Sequence, residues 1–156
     1  MTSIDGFDDA ADDFEAFAES FREVAEELPT AIDSGVQKTA RTVSGTAKRY
    51  AAVDEGELRQ EIDTERIDLG AWAVVSKADH AAAVEFGTDP HVIRADEADA
   101  LAFTGRDGEL VFRQSVEHPG TPAQPYLRPS MKEHQSELVE NINEAINELF
   151  AEAFGI

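Results

Sequence analysis

The sequence predicts an α+β fold, with amino-terminal helices and a long carboxy-terminal helix packed on an antiparallel β-sheet that includes a hairpin. Three observations carry this. Apolar residues recur at helical spacing in residues 5–50 and again in 130–150, and between them short runs alternate with period two and are punctuated by glycine and proline. The length of 156 residues fits a single domain, read as an acidic amphipathic helix at 1–28, a second helix at 29–52, sheet and loops at 53–129 and a last helix at 130–152. Leu, Ile, Val and Phe supply 36 residues, enough for a modest core and above the fraction that marks a disordered chain.

The first helix is read from Phe7, Phe14, Phe21 and Leu28 at spacing seven, with Ala10, Phe17 and Val24 completing a heptad seam. Either its own domain or a neighbouring subunit could receive that seam. Pro29 is expected to interrupt the pattern, because proline lacks an N–H and clashes with the preceding turn. A second helix capped by Thr30 then carries Ile32, Val36, Ala40, Val43, Ala47 and Tyr50 on its apolar face. Gly35 and Gly45 would weaken it by about 1 kcal/mol each relative to alanine, so both are expected where another element packs closely. Asp54 with Glu57 three residues on resembles a capping box opening a short turn through Leu58.

Strand-like segments follow at 62–69 and 71–75, and the run from His80 to Phe86 is read as a strand ending at Gly87. Leu101 and Phe103 precede the Gly105–Gly108 loop, and Leu110, Phe112 and Val116 follow with period two, the pattern of a hairpin. Residues 118–130 hold four of the six prolines and predict an extended connection. The last helix places Met131, Leu138, Ile142, Ile146 (or Ala145) and Leu149 on one face, and glutamates on the other.

Thirty-three acidic residues against 13 basic ones give a net charge of −20. Such a surface repels itself and free nucleic acid in dilute buffer. At molar salt the screening length falls to about 3 Å and the repulsion largely disappears. Because the acids are spread along the whole chain, this pattern points to a protein of a halophile or of a virus infecting one, rather than to an ordinary acidic protein. Residues 29–52 form the one basic segment, with Lys38, Arg41, Lys48 and Arg49 opposed only by Asp33. Those bases are expected to pair with the acidic first helix rather than with phosphates. No apolar run approaches the 20 residues of a membrane span, and the first residues do not read as a secretory signal.

Candidate chemistry is sparse. The chain has no cysteine, hence no disulfide, thiolate metal site or cysteine nucleophile. His80, His91, His118 and His134 lack the compact spacing of a metal site. No nucleophile elbow, phosphate-cradling loop or dinucleotide fingerprint is present, and no pair can be picked from 33 carboxylates by sequence. An enzyme, a metal and a cofactor are therefore not expected.

Three segments read together carry a resemblance. They are Val53-Asp54-Glu55-Gly56-Glu57-Leu58-Arg59, then His80 to Thr88 with Glu85-Phe86-Gly87-Thr88 at its end, and His118-Pro119-Gly120-Thr121 running into Pro125-Tyr126-Leu127-Arg128-Pro129. In this order they resemble the head–tail joining, or tail-completion, neck proteins of long-tailed phages, often described as minor tail or minor capsid components. The match spans residues 53 to about 150. Glu55 and Glu57 stand where the family usually has a threonine and a variable, often basic, residue, and residues 1–28 lie outside the motifs. The resemblance implies a virion protein that assembles in the host cytoplasm as a homo-oligomeric ring, commonly of six subunits, between the head connector and the tail tube. Genome DNA would pass through the ring without specific binding.

The motif residues are the candidate subunit or partner interface. Pro125 and Pro129 are expected to hold Tyr126-Leu127-Arg128 extended, presenting an aromatic ring and a guanidinium to a neighbour, although Tyr126 and Leu127 could equally seat the last helix on the sheet. The 101–112 hairpin is expected to share in the contact, and the pore is expected to be acidic or neutral. A tail terminator ring is the nearest alternative. An acidic DNA mimic that inhibits a nucleic-acid-binding protein is the alternative from another class.

Overall fold

The computed structural model describes residues 5–51, 56–95, 100–105 and 107–156, the first five of them as backbone only. The fold is α+β. Helix α1 (Asp5–Tyr50) leads to a single turn α2 (Glu57–Gln60), strands β1 (Ile62–Asp68) and β2 (Ala71–Ser76), helix α3 (Ala81–Phe86) and strand β3 (His91–Arg94). Strands β4 (Leu101–Thr104), β5 (Leu110–Arg113) and β6 (Ser115–His118) precede helices α4 (Leu127–Glu133) and α5 (Gln135–Phe154). Among the described residues the strands form three two-stranded antiparallel ladders, β1–β2, β3–β6 and β4–β5, rather than one sheet. Two compact units result. The first holds the chain up to Lys77 together with Tyr126–Ile156, and the second is Ala78–Pro125.

In the first unit α1 is one helix of 46 residues, so the expected break at Pro29 does not occur. Pro29 is exposed, as is Ala25, whose carbonyl loses its partner N–H. Water can satisfy that carbonyl, and apolar packing on either side, at Val24 and from Ile32 onward, keeps the helix running. Thr30 is therefore an interior helical residue, not a cap. Helix α5 runs antiparallel to α1, with contacts progressing from Thr46–His134 through Thr39–Asn141 and Lys38–Glu144 to Phe21–Phe154. Gly35 lies at the closest approach, where an added Cβ would stand 2.7 Å from Ile142 Cα. Gly45 meets nothing within 4 Å, so close packing explains the first glycine and not the second.

The opposite side of α1 carries β1 and β2, and Asp33 pins them. Its carboxylate accepts the Gly70 N–H (2.8 Å) and the Trp72 Nε1–H (3.0 Å), and pairs with Arg66 at 3.2 Å. The Gly70 hydrogen bond foremost, with Trp72 and Arg66 assisting, holds the Asp33 carboxyl below its ordinary range. Gly70, at φ 73, makes the turn between the strands. The weak alternation of 62–68 is resolved as Ile62 paired with Ser76 and fully buried, with a register irregularity between Arg66 and Asp68. The N-cap position of turn α2 is Gly56 at φ 83, and Asp54, the expected cap, lies outside the described residues.

The last helix is divided. His134 (φ −102, ψ 13) separates α4 from α5, and Met131 and Leu138 of the expected core face are exposed, whereas Ile142, Ala145, Ile146 and Leu149 are half-buried. Helix α4 begins at Leu127, so 126–129 is not extended as expected. Pro129 falls in the first helical turn, where backbone N–H groups have no intrahelical acceptor and a missing one removes no bond.

In the second unit the run after His80 forms helix α3, not a strand. Three consecutive alanines favour helix, and the Val84 N–H closes a turn onto the His80 carbonyl at 3.0 Å. The β4–β5 hairpin is as expected through Arg113, pairing Leu101 with Arg113 and Thr104 with Leu110. Val116 does not continue it. The chain bends at Gln114 and passes to the other ladder, where Val116 pairs with Ile93.

Candidate assembly interface

The second unit joins two of the three motif segments. Thr88 and Thr121 form an antiparallel bridge, with Thr88 N–H donating to the Thr121 carbonyl (2.9 Å) and Thr121 N–H returning to the Thr88 carbonyl (3.1 Å) and Oγ1 (3.0 Å). The Gln124 N–H donates to the Val84 carbonyl at 2.8 Å. Residues 84–88 and 118–124 are thus one knitted surface. Two glycines make that approach possible. A Cβ on Gly87 would stand 2.7 Å from the Thr121 carbonyl oxygen, and one on Gly120 only 2.3 Å from that of Thr88. Both have φ in the left-handed range, at 73 and 86. Next to them the rings of His91 and His118 lie 5.0 Å apart on paired strands, and His118 Nδ1 accepts the Gly120 N–H.

The described residues of this unit form no sizeable core. Only Ala78 and Glu85 among them are buried. Phe86, Val92, Ile93, Phe103, Leu110 and Phe112 are exposed, Phe86 by 65%. Two-stranded ladders are marginal by themselves and need a surface to cover an apolar face. Pro119, Thr121 and Pro125 are also exposed, consistent with a stiff loop set presented outward.

The remaining motif residues divide differently. Gly56 and Arg59 sit at a surface turn, whereas Leu58 is buried at 4% exposure. Tyr126 is fully buried, which corrects its assignment as an outward interface anchor; it seats the start of α4 inside the first unit. Leu127 and Pro129 are half-buried, and only Arg128 of this stretch is exposed. Asp54 lies outside the described residues.

The basic segment also departs from expectation. Lys38 pairs with Glu144 of α5, which raises its pKa chiefly through that hydrogen bond, and Arg49 donates to Thr46 Oγ1 at 2.7 Å. The partners are on the last helix and on the same helix, because the acidic residues expected opposite are the earlier turns of α1 itself.

A polar array centred on buried Thr46 and His134 escaped sequence reasoning. Arg49 donates to the Thr46 hydroxyl, Thr46 to His134 Nε2 (2.7 Å), and His134 Nδ1–H to Glu137 (2.7 Å). The order imitates nucleophile, base and orienting acid. Thr46, however, has no exposed surface, so no substrate carbonyl can reach its oxygen. The array ties α1 to the α4–α5 junction. Nothing in the local spacing of residues 46, 134 and 137 announces it, since the pairing spans 88 positions. Among the described residues no group of three or more His, Asp or Glu could hold a metal ion, and no helix is long and apolar enough to cross a membrane. No family model, curated protein or solved structure matches this chain.

Proposed function

We propose that this chain is a structural component of the neck of a tailed virus with a halophilic host. It forms a homo-oligomeric ring that joins the head connector to the tail tube and leaves a channel for DNA. The observation that carries the reading is the second unit, whose apolar side chains stand exposed around the knitted motif segments 84–88 and 118–124. A surface of that kind suits burial against neighbouring subunits rather than catalysis in a cleft. The charge of −20 accords with passage of DNA that must not be held, since affinity for phosphate grows with basic contacts.

Imaging of assembled particles tests this. A tagged chain should appear as a ring between head and tail, and particles made without it should leave heads and tails unjoined. Absence of the chain from purified particles, or its location elsewhere in them, would refute the proposal.

A further inference from the structure

One face of α1 lies beside its contacts with α5 and with β1–β2, with Glu19 paired to Arg22 of the same helix and Lys38 to Glu144 of α5, and carries a charge pattern that is its own complement when reversed. In steps of three or four residues along the helix, this face reads Ala16, Glu19, Glu23, Glu27, Thr30, Ser34, Lys38, Arg41, Gly45 and Lys48. Every one is exposed except Gly45 and Lys48, which are half-exposed. The first half is acidic, the centre small and uncharged, the second half basic.

From this we infer that two copies of the chain pair through α1, antiparallel and two-fold symmetric about Thr30 and Ser34. In such a pair, positions whose numbers sum to about 64 face each other. Glu23 meets Arg41, Glu27 meets Lys38, Glu19 lies over Gly45, Ala16 lies beside Lys48, and Thr30 meets Ser34. The two-fold repeats each contact, as an isologous interface requires. The small central residues let the helix axes approach. Gly45 gains a reason, since a glycine with open space around its Cβ position weakens the helix relative to alanine with no compensating close contact inside the subunit.

The groove beside this face fits the same occupant. Glu23 and Glu27 of α1 and Glu148 and Glu152 of α5 line a cleft of about 470 Å³, with Ala31 and Leu149 among its apolar walls. An arginine arriving from an antiparallel α1 at the height of Glu23 would lay its aliphatic stem on those walls and its guanidinium among the carboxylates. Lys38 lies at the height of Glu27 in the reversed helix and is already held beside Glu144, so its ammonium is positioned between two carboxylates. Exposed ion pairs are weak singly, and their number here, doubled by symmetry, is what gives the pair its specificity. A two-fold pair is not the contact of a cyclic ring. It describes the free chain before assembly and stands or falls apart from the neck reading.

The test is the mass of the full chain in solution, at salt concentrations where circular dichroism shows it folded. The wild type should sediment at twice the 17.0 kDa chain mass. The variants Glu23→Lys with Glu27→Lys, and Lys38→Glu with Arg41→Glu, should each be monomeric, because each makes the facing stripes alike in sign. Mixed in equal amounts, the two variants should recover the doubled mass as a heterodimer, since each then offers what the other lacks. A monomeric wild type, dimers of either variant alone, or a mixture that stays monomeric would overturn the inference. Helical content measured on each variant separates loss of pairing from loss of folding, and an unfolded variant is replaced by Glu23→Gln or Arg41→Gln, for which weakened dimerisation is the expected result and unchanged dimerisation the refuting one.

Discussion

Gly35 and Gly45 lie on the same helix, ten residues apart, and replacement by alanine should shift stability in opposite directions. Both sites gain intrinsic helix propensity, worth about 1 kcal/mol. At Gly45 nothing opposes the gain, because a Cβ there meets no atom within 4 Å. At Gly35 a Cβ would stand 2.7 Å from Ile142 Cα, 2.8 Å from the Asn141 carbonyl oxygen and 2.8 Å from the Ile142 nitrogen. All three are backbone atoms of α5 and cannot rotate away as a side chain would. Separating the two helices by several tenths of an ångström disturbs the neighbouring Thr39–Asn141 hydrogen bond and the Lys38–Glu144 pair. Overpacking of this kind costs about 1–3 kcal/mol, and against a close backbone contact the upper part of that range applies. Gly35→Ala should therefore lose about 1–2 kcal/mol net, and Gly45→Ala should gain about 0.5–1 kcal/mol, in line with the propensity scale. For a chain of this length these correspond to Tm changes of roughly 2–8 °C downward and 1–4 °C upward. Thermal melts at low protein concentration, where pairing contributes least, measure both. A Gly35→Ala variant as stable as wild type, or two shifts of the same sign, would refute the helix contact on which the first unit is built.

Three further outcomes are expected. Raising potassium chloride from millimolar to molar should raise the melting midpoint substantially, since screening relieves the self-repulsion of a −20 chain, and a flat response would remove the halophile reading. Tyr126→Ala should cost about 3–5 kcal/mol, because the ring is wholly buried, and would leave little folded protein at ambient temperature; a stable, folded variant would return Tyr126 to the interface. Asp33→Asn should be most destabilising at neutral pH. The Asp33 carboxyl is held below its ordinary 3.8 in the folded chain, so its stabilising effect is complete above about pH 5 and is lost as pH falls through 3.8 and below; wild type and variant should converge in acid melts, and a difference independent of pH would refute the role of the charge.

Much of this architecture was legible from local pattern. The heptad spacing of phenylalanines marked a helix, the Gly105–Gly108 loop between alternating runs marked a hairpin, and the α+β class followed from the two periodicities. Charge was legible as well, including the basic segment at 38–49, because it depends on composition alone. These are properties of a few adjacent residues, and short-range sterics and hydrogen bonding determine them. Other features depend on what arrives from far along the chain. Proline breaks a helix only if packing does not hold both sides, and at Pro29 the buried Val24 and the residues from Ile32 onward do hold them. The run 81–86 has the apolar content of either a strand or a helix, and its alanines together with the turn closed by Val84 N–H onto the His80 carbonyl settle it as helix. Gly35 and Gly45 look alike in sequence and differ only because α5 crosses one and not the other. Tyr126 reads as an exposed anchor between prolines, yet it is buried at the start of α4. The candidate interface shows the same division. Its residues were identifiable as motifs, but their meeting at Thr88 and Thr121, 33 positions apart, is a non-local pairing that no local preference encodes, and tertiary structure alone brings them together.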